Sequence, residues 1–305
     1  MQIKSGILIP REPAIDLVRI ISEGTYTSFP QALKEFISNA YDADARRVDI
    51  RIDEDASTII IRDDGVGMTL QDFRDSFAAI ARPGKSGARS VRGKTLSGRK
   101  KIGRFGIGSL AIVGAADQFT IRSSRRASGE GFEASIDLKE LRKHFHKGED
   151  LSSHWKFPFE QWRGESASNH FTEIRIEGLN PDVRAILQRP GEKTTAEFFE
   201  RITQLSGLEE LGWQLGLICP VAYARTYPVP ETHLDKKKDR IIYEHARERR
   251  KANFNLFLNG HPVRRQITLP SYDPSKLKNP SEAAALMQRG LGFDIQPDPE
   301  SFRDA

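Results

Sequence analysis

The chain has 305 residues, 38% of them hydrophobic and 29% charged, which is the composition of an ordinary globular protein with one large or two mid-sized domains. Its net charge of +5 is modest, and it has neither a signal peptide nor an apolar run of about eighteen residues, so the sequence predicts a cytoplasmic protein without a membrane partner. The one cysteine, Cys219, excludes an internal disulfide or a cysteine-based zinc cluster and is expected to be a small buried side chain.

Two helices are predicted near the N-terminus. Residues 12–23 have the apolar spacing of the first, and the second is expected to begin at Ser28, with Pro30 in its first turn. This second helix places four apolar residues at i, i+3, i+4 and i+7, and they are Leu33, Phe36, Ile37 and Ala40. The stripe predicts the face that packs on the core.

A polar stripe lies beside the apolar one on the same helix. Glu35, Asn39 and Asp42 fall at i, i+4 and i+7. Two carboxylates and an amide on one face can polarise a water molecule, hold a divalent metal ion and form the wall of a pocket. A solvated acidic face is the alternative interpretation of this pattern taken alone.

An acidic, glycine-containing segment follows a predicted hairpin. Alternating residues predict strands at 48–53 and 58–62, and the second strand leads directly into Asp63-Asp64-Gly65-Val66-Gly67-Met68. Glycines at a strand end let a ligand approach the backbone, and the Asp63 carboxylate can accept a hydrogen bond from an exocyclic amine such as that of adenine. The alternatives are a plain loop and a calcium-type turn, which would need oxygen ligands where Val66 and Met68 stand.

The chain loses its periodicity after a predicted helix at 69–80, which Thr69 and Asp72 cap. Residues 81–102 contain several glycines, and the stretch from Arg82 to Arg104 has nine basic residues and no acidic one. An irregular segment of this length inside a domain is often a lid, and a basic lid suits a polyphosphate. A disordered basic loop and a contact with nucleic-acid backbone are the alternatives.

The glycine-rich run Gly103-Arg104-Phe105-Gly106-Ile107-Gly108 comes next, at the start of a predicted helix. Helix N-termini offer free N–H groups and a positive dipole end to phosphates. The run lacks the lysine and hydroxyl residue of a P-loop and does not follow a strand, so it is neither a P-loop nor a dinucleotide fingerprint.

The remaining chain is predicted to alternate strands with a few helices. Strands are expected at 118–123, 132–136, 215–223, 240–243 and 254–258, helices around 183–187 and 196–205, and an insertion at 138–170.

Three of these motifs resemble, in order and spacing, the nucleotide motifs of the GHKL ATPases, the superfamily of gyrase B, the ninety-kilodalton heat-shock chaperones, histidine kinases and MutL. They are E-x-x-x-N-x-x-D-A at 35–43, D-x-G-x-G at 63–67 and G-x-x-G-x-G at 103–108. Thr172 fits a fourth element, a threonine that opens a late strand, although Phe171 stands where a glycine is common. The basic lid and residues 102–111 are most similar to the MORC-type and related prokaryotic branch.

The resemblance implies an α+β fold of the Bergerat type, a sandwich of helices over a mixed, mostly antiparallel sheet. It places the ATPase domain at 1–200, with the lid at 81–102, and the start of a transducer-like α/β domain at 201–305. Leu258-Asn259-Gly260 is similar to a hairpin of that second domain, but no residue is identified as its phosphate-binding lysine.

The resemblance also implies a role for each motif residue. Glu35 is expected to be the general base that activates water, Asn39 the magnesium ligand and Asp63 the residue that reads adenine. The base pocket would be lined by Ala43, Gly65, Gly67, Met68 and Thr172, and the phosphates would be held by Lys85, Gly103, Arg104, Phe105, Gly106, Ile107 and Gly108. Histidine kinases usually carry Asn at the position of Glu35, so this residue favours hydrolysis by water.

The implied function is magnesium-dependent ATP hydrolysis that drives lid closure and pairing of two N-terminal domains, in a DNA-linked or chaperone-like system. ATP and ADP are the expected ligands, a second copy of the chain the expected partner, and nucleic acid or a client protein a further candidate. The alternative is a nucleotide-binding scaffold or sensor with little turnover.

Overall fold

The computed structural model describes residues 4–8, 29–77, 93–102, 112, 114–146, 156–163, 169–196, 199–222 and 253–265. The helices are α1 (Phe29–Asp42), α2 (Leu70–Asp72), α3 (Leu138–His146), α4 (Pro181–Gln188) and α5 (Gly207–Ile218). The strands are β1 (Lys4–Leu8), β2 (Arg47–Ile52), β3 (Thr58–Asp63), β4 (Gln118–Ser124), β5 (Glu130–Asp137), β6 (Phe157–Arg163), β7 (Phe171–Glu177), β8 (Glu192–Ala196), β9 (Phe199–Gln204), β10 (Asn255–Leu258) and β11 (His261–Val263).

Nine of these strands form one sheet in the order β1-β6-β5-β4-β7-β3-β2-β10-β11. Every neighbouring pair is antiparallel except β2 and β10, which run parallel. The strands β8 and β9 form a separate antiparallel pair. The predicted α+β class, with helices over a mixed, mostly antiparallel sheet, is confirmed.

The helix α1 covers the middle of the sheet with its apolar stripe. Leu33, Phe36, Ile37 and Ala40 are all at most 2% exposed, which confirms the predicted face. The ring of Phe36 stacks 6.0 Å from that of Phe119 on β4. Burial of each of the three larger side chains stabilises the fold by about 1.5–3 kcal/mol, so the polar stripe on the same helix is held in a fixed orientation above the sheet.

The strand β3 alternates in the same manner and ends at the site. Ile59 and Ile61 face the core, Arg62 faces outward, and the last residue, Asp63, points inward again. Because side chains alternate along a strand, the register that buries the two isoleucines also buries this carboxylate.

Elements on both sides of residue 200 pack together. The helix α5 packs on α1, and β10 pairs with β2 along residues 47–50. The Asn259 side chain accepts a hydrogen bond from the Ile52 N–H at 2.8 Å and donates one to the Ile52 carbonyl at 3.2 Å. The division of the chain into domains at 1–200 and 201–305 stays a prediction, because most of residues 223–305 lie outside the described part.

Two predicted elements are wrong. Residues 196–205 were expected to be helical, but β8 and β9 form a hairpin there, in keeping with the β-branched and aromatic residues Thr194, Thr195 and Phe199. A strand was expected at 215–223, but α5 continues to Ile218.

Two other expectations agree with the structure. Thr69 and Asp72 form the predicted capping box of α2, which continues as a π-helical turn to Phe77. Cys219 is buried, and burial raises the pKa of its thiol to about 12.

None of the helices that the structure describes has the length and apolar character needed to span a membrane.

Candidate functional site

The polar stripe of α1 faces the site from above the sheet. The side chain of Glu35 is 18% exposed, and its Oε1 lies 3.7 Å from the Lys34 ammonium. Asn39, one turn further on, is exposed, and Asp42 is half-buried. The stripe thus presents a partly desolvated carboxylate beside a solvent-accessible amide.

The carboxylate of Asp63 lies at the opposite end of this site. Its residue is 9% exposed, and its Oδ1 accepts a hydrogen bond from the Gly65 N–H at 2.8 Å. In the sheet, Asp63 is paired with Thr172 on β7, which is also buried. The structure therefore brings Asp63, the predicted adenine reader, next to Thr172, another predicted residue of the base pocket.

Burial controls the ionisation of Asp63. Loss of solvent raises its pKa to about 7, and the hydrogen bonds from the backbones of Gly65 and Thr172 and the charge of Arg62 offset only part of this effect. Near neutral pH this carboxyl group therefore exists in both protonation states, which is unusual for an aspartate.

The glycines of the D-x-G-x-G segment lie too close to neighbouring atoms for any side chain. A Cβ on Gly65 would lie 2.7 Å from Asp63 Oδ1 and 2.9 Å from the carbonyl oxygen of Ala43. A Cβ on Gly67, which has a φ of +64°, would lie 1.9 Å from the carbonyl oxygen of Ser124. The segment is therefore packed directly on Ala43 at the end of α1 and on the end of β4.

Hydrogen bonds hold the same segment in place from several directions. The Val66 N–H donates to the Ala43 carbonyl at 2.9 Å, and the Met68 N–H donates to Ser123 Oγ at 2.9 Å. Ser123 Oγ in turn donates to the Phe171 carbonyl at 2.8 Å and lies 3.1 Å from Thr172 Oγ1. These bonds join the predicted pocket residues Ala43, Met68 and Thr172 into one network.

Three residues of this network were not predicted from the sequence. Besides Ser123, His170 places Nδ1 2.6 Å from the Gly65 carbonyl oxygen, and Nδ1 is the donor because a carbonyl can only accept. Arg125 donates from Nη1 to the Gly67 carbonyl at 2.8 Å. Each lies at least 48 positions from the residues that it contacts here, so no local pattern could have identified it.

Part of the predicted site lies outside the described residues. This part comprises Lys85 of the lid and the whole glycine-rich run of Gly103, Arg104, Phe105, Gly106, Ile107 and Gly108. Their roles in holding phosphates stay predictions.

The donor set suits magnesium rather than a metal held entirely by protein. Among the described residues, no three His, Cys, Asp or Glu side chains are grouped as ligands. The exposed amide of Asn39 offers a single oxygen next to the half-buried Glu35. Mg²⁺ is commonly bound by one or two protein oxygens together with substrate phosphates and waters, so these residues fit that ion.

Comparison with known proteins agrees with this geometry. A family model described as histidine kinase-, DNA gyrase B- and HSP90-like ATPase matches residues 26–161, which include α1, the D-x-G-x-G segment and the glycine-rich run. The chain contains a GHKL ATPase domain. A domain of this kind implies binding of ATP.

Relatives of this GHKL domain occur in proteins of different kinds. A putative type II restriction enzyme, HgiDII, of Herpetosiphon aurantiacus is 34% identical over 119 residues, which are 39% of this chain and 18% of that protein. The chaperone protein HtpG of Nitratidesulfovibrio vulgaris is 32% identical over 137 residues, 37% of this chain and 22% of the chaperone. HtpG of Idiomarina loihiensis is 28% identical over 197 residues, 53% of this chain and 28% of the chaperone. The chain thus spans less than a third of the length of these relatives.

Proposed function

We propose that this GHKL domain binds ATP together with magnesium and hydrolyses it. The observation that carries the proposal is the packing of the D-x-G-x-G segment on Ala43, through the Val66–Ala43 hydrogen bond of 2.9 Å. Ala43 follows the helix that bears Glu35 and Asn39. Eight residues of helix span about 12 Å, so one extended nucleotide can reach from Asp63 to Glu35.

The chain's own residues divide the reaction between them. The ionised carboxylate of Asp63 accepts a hydrogen bond from the adenine amine, while Thr172 and Ser123 fix the floor beside it. At the other end, Glu35 accepts the proton of the water that attacks the γ-phosphate, and its partial burial strengthens that interaction. Asn39 would hold magnesium together with the phosphates, and the bound ion would neutralise part of the phosphate charge.

The second candidate function is a nucleotide-binding module with little turnover. It is favoured by the two arginines that directly follow β11, whose side chains bind other parts of the fold. Arg264 donates to Asn255 Oδ1 at 3.3 Å, and Arg265 donates to the Leu217 carbonyl at the end of α5 at 2.8 Å. Neither is thus available as the cation that a transducer-like domain would bring to the γ-phosphate.

Titration with ATP and magnesium tests the binding site. We expect Asn39→Ala to abolish the magnesium-dependent part of ATP affinity, because the phosphates lose their metal. Asp63→Asn should weaken ATP binding about tenfold to a hundredfold. The asparagine amide can present an N–H group to the adenine amine, which is itself a donor, so no hydrogen bond forms. Isothermal titration calorimetry measures both. Asp182→Asn, the same change at the exposed start of α4, is the matched control, and wild-type affinity in Asp63→Asn would contradict the site assignment.

The raised pKa of Asp63 predicts a pH dependence of binding. Adenine needs the ionised form, whose fraction rises from about one tenth at pH 6 to about nine tenths at pH 8 for a pKa of about 7. ATP affinity should therefore rise about tenfold over this range. As the pH rises from about 4 to about 7, the free energy of unfolding of the nucleotide-free protein should fall. The reason is that Asp63 holds its proton more tightly in the folded state than in the unfolded chain. In Asp63→Asn only the titration of the phosphates remains, so the dependence of ATP affinity on pH should be shallower than in wild type. An equally steep dependence in that variant would contradict the assignment.

We further propose that ATP closes the lid at 81–102 and pairs two copies of the chain, in a DNA-linked or chaperone-like system; the restriction enzyme and the chaperones among its relatives support such a setting. ATP supplies an anionic partner for the nine basic residues between Arg82 and Arg104. A non-hydrolysable ATP analogue should protect the lid from protease and shift the mass towards a dimer, and ADP should do so less. Limited proteolysis with light scattering measures this, and identical cleavage and mass with and without the analogue would contradict the proposal.

A further inference from the structure

The peptide unit between Gly65 and Val66 is held at both of its polar groups. Its N–H, which belongs to Val66, donates to the Ala43 carbonyl at 2.9 Å. Its carbonyl, which belongs to Gly65, accepts a hydrogen bond from His170 Nδ1 at 2.6 Å. Ala43 directly follows α1, and His170 directly precedes β7. The D-x-G-x-G segment is therefore fixed between the helix and the sheet at this one peptide unit.

The same glycine also orients the carboxylate of Asp63. The Gly65 N–H donates to Asp63 Oδ1 at 2.8 Å, and the backbone of Thr172 forms a further hydrogen bond with this side chain. His170 stands two residues before Thr172 in the chain. Its imidazole therefore connects the two stretches of backbone that hold the carboxylate, and the four residues form a closed set of contacts.

We propose that His170 is a positioning residue for the recognition of adenine, an inference that rests on the proposed function. The bond from Nδ1 fixes Gly65, and Gly65 fixes the direction in which the Asp63 carboxylate points. Because a hydrogen bond weakens steeply as its angle departs from linearity, a less firmly oriented carboxylate should accept the adenine amine less well. His170 needs no contact with the nucleotide for this role.

The strand β7 does not depend on this contact for its place in the sheet. It is paired with β4 from Phe171 to Glu177 and with β3 from Thr172 to Glu177. These two ladders begin directly after His170, so the loss of its side-chain bond should leave the register of the sheet intact. The effect of the loss should instead fall on Gly65, which is buried at the end of β3.

Calorimetric titration of three variants with a non-hydrolysable ATP analogue tests the donor. His170→Ala removes it and should lower the affinity about tenfold. His170→Asn places an amide nitrogen one bond from Cγ, where Nδ1 stands in histidine, and should stay within about threefold of wild type. His170→Gln carries the same amide one bond further from the backbone and should be about as weak as His170→Ala.

The matched control for these variants is His261→Ala. His261 is exposed on β11, three strands along the sheet from β3, so the same chemical change is made away from the base. Its affinity for the analogue should equal that of the wild-type protein.

The rate of hydrolysis at saturating ATP separates a positioning role from general damage to the fold. The chemical step is assigned to Glu35 on α1, at the other end of the nucleotide. His170→Ala should therefore raise the KM for ATP about tenfold and keep kcat within about twofold of wild type. A variant with a disturbed domain would lose kcat as well.

The outcomes separate this inference from the proposed function. Wild-type affinity in His170→Ala or in His170→Gln would overturn the positioning role. Equal losses in His170→Asn and His170→Ala would also overturn it, because the N–H at the position of Nδ1 would then not be the group that matters. A loss of kcat as large as the rise in KM would overturn it too. A wild-type protein that binds no ATP analogue would instead overturn the proposed function itself.

Discussion

Glu35→Ala should lower the rate of ATP hydrolysis by about a hundredfold or more, while ATP affinity stays within a few-fold of wild type. The carboxylate is partly buried on α1 and stands one turn before Asn39. Its removal takes away the group that accepts a proton from the attacking water, but it leaves Asp63, Thr172 and Asn39 in place. Single-turnover measurement of phosphate release, combined with calorimetric ATP binding, separates the two quantities.

The matched control for this prediction is Glu54→Ala. Glu54 lies in the exposed turn between β2 and β3, so the chemical change is the same in a place far from the nucleotide. Glu35→Gln should behave as Glu35→Ala does, because the amide keeps the size of the side chain but cannot take up the proton. Equal turnover in Glu35→Ala and Glu54→Ala would remove Glu35 from the role of base and favour the module with little turnover.

Gly67→Ala should lower the free energy of unfolding by about 2–5 kcal/mol, since it combines a left-handed backbone with overpacking. The added Cβ would lie 1.9 Å from the carbonyl oxygen of Ser124 and 3.1 Å from that of Phe171. Both atoms belong to the backbone of paired strands, so neither can move without breaking the β4–β7 ladder. The midpoint of urea unfolding, followed by circular dichroism, measures the loss.

Gly260→Ala isolates the conformational part of this effect. Gly260 has a φ of +81°, and a Cβ there would have no atom within 4 Å. Its loss of stability should be limited to the left-handed backbone, about 1–2 kcal/mol. If Gly67→Ala proved no less stable than Gly260→Ala, the tight packing of the D-x-G-x-G segment against β4 would be contradicted.

The parts of the fold that follow from local periodicity were predictable. The stripe of Leu33, Phe36, Ile37 and Ala40 gives α1 its buried face, and Ile59 and Ile61 give β3 its register. The approach of a ligand to the glycines of the D-x-G-x-G segment stays a prediction, and in the structure Gly65 and Gly67 pack closely on Ala43 and Ser124. In these places the local preference and the tertiary packing agree.

Prediction failed where a short apolar run fits more than one element. Leu215, Ile218 and Cys219 lie in an apolar run that resembles a buried strand, but the capping box of Ser206 and Glu209 starts a helix that runs through Ile218. Apolar runs of this length do not distinguish a buried strand from a buried helix.

The support of the site was not predictable for a different reason. His170 and Arg125 bind the backbone of Gly65 and Gly67 from 105 and 58 positions away. Arg99 binds the Asn253 carbonyl across 154 positions. Such contacts depend on which strands become neighbours in the sheet, and a single sequence carries no periodic trace of that order.

The pairing of β10 with β2 has a consequence for how the chain is made. Asn259 bonds to the backbone of Ile52 across 207 positions, and at about 5–20 residues per second a ribosome needs about 10–40 seconds to synthesise that interval. Until then β2 is an edge strand whose backbone N–H and C=O groups have no partner on that side. Such edges recruit strands from other chains, so the nascent protein passes through a period in which self-association competes with completion of its own sheet.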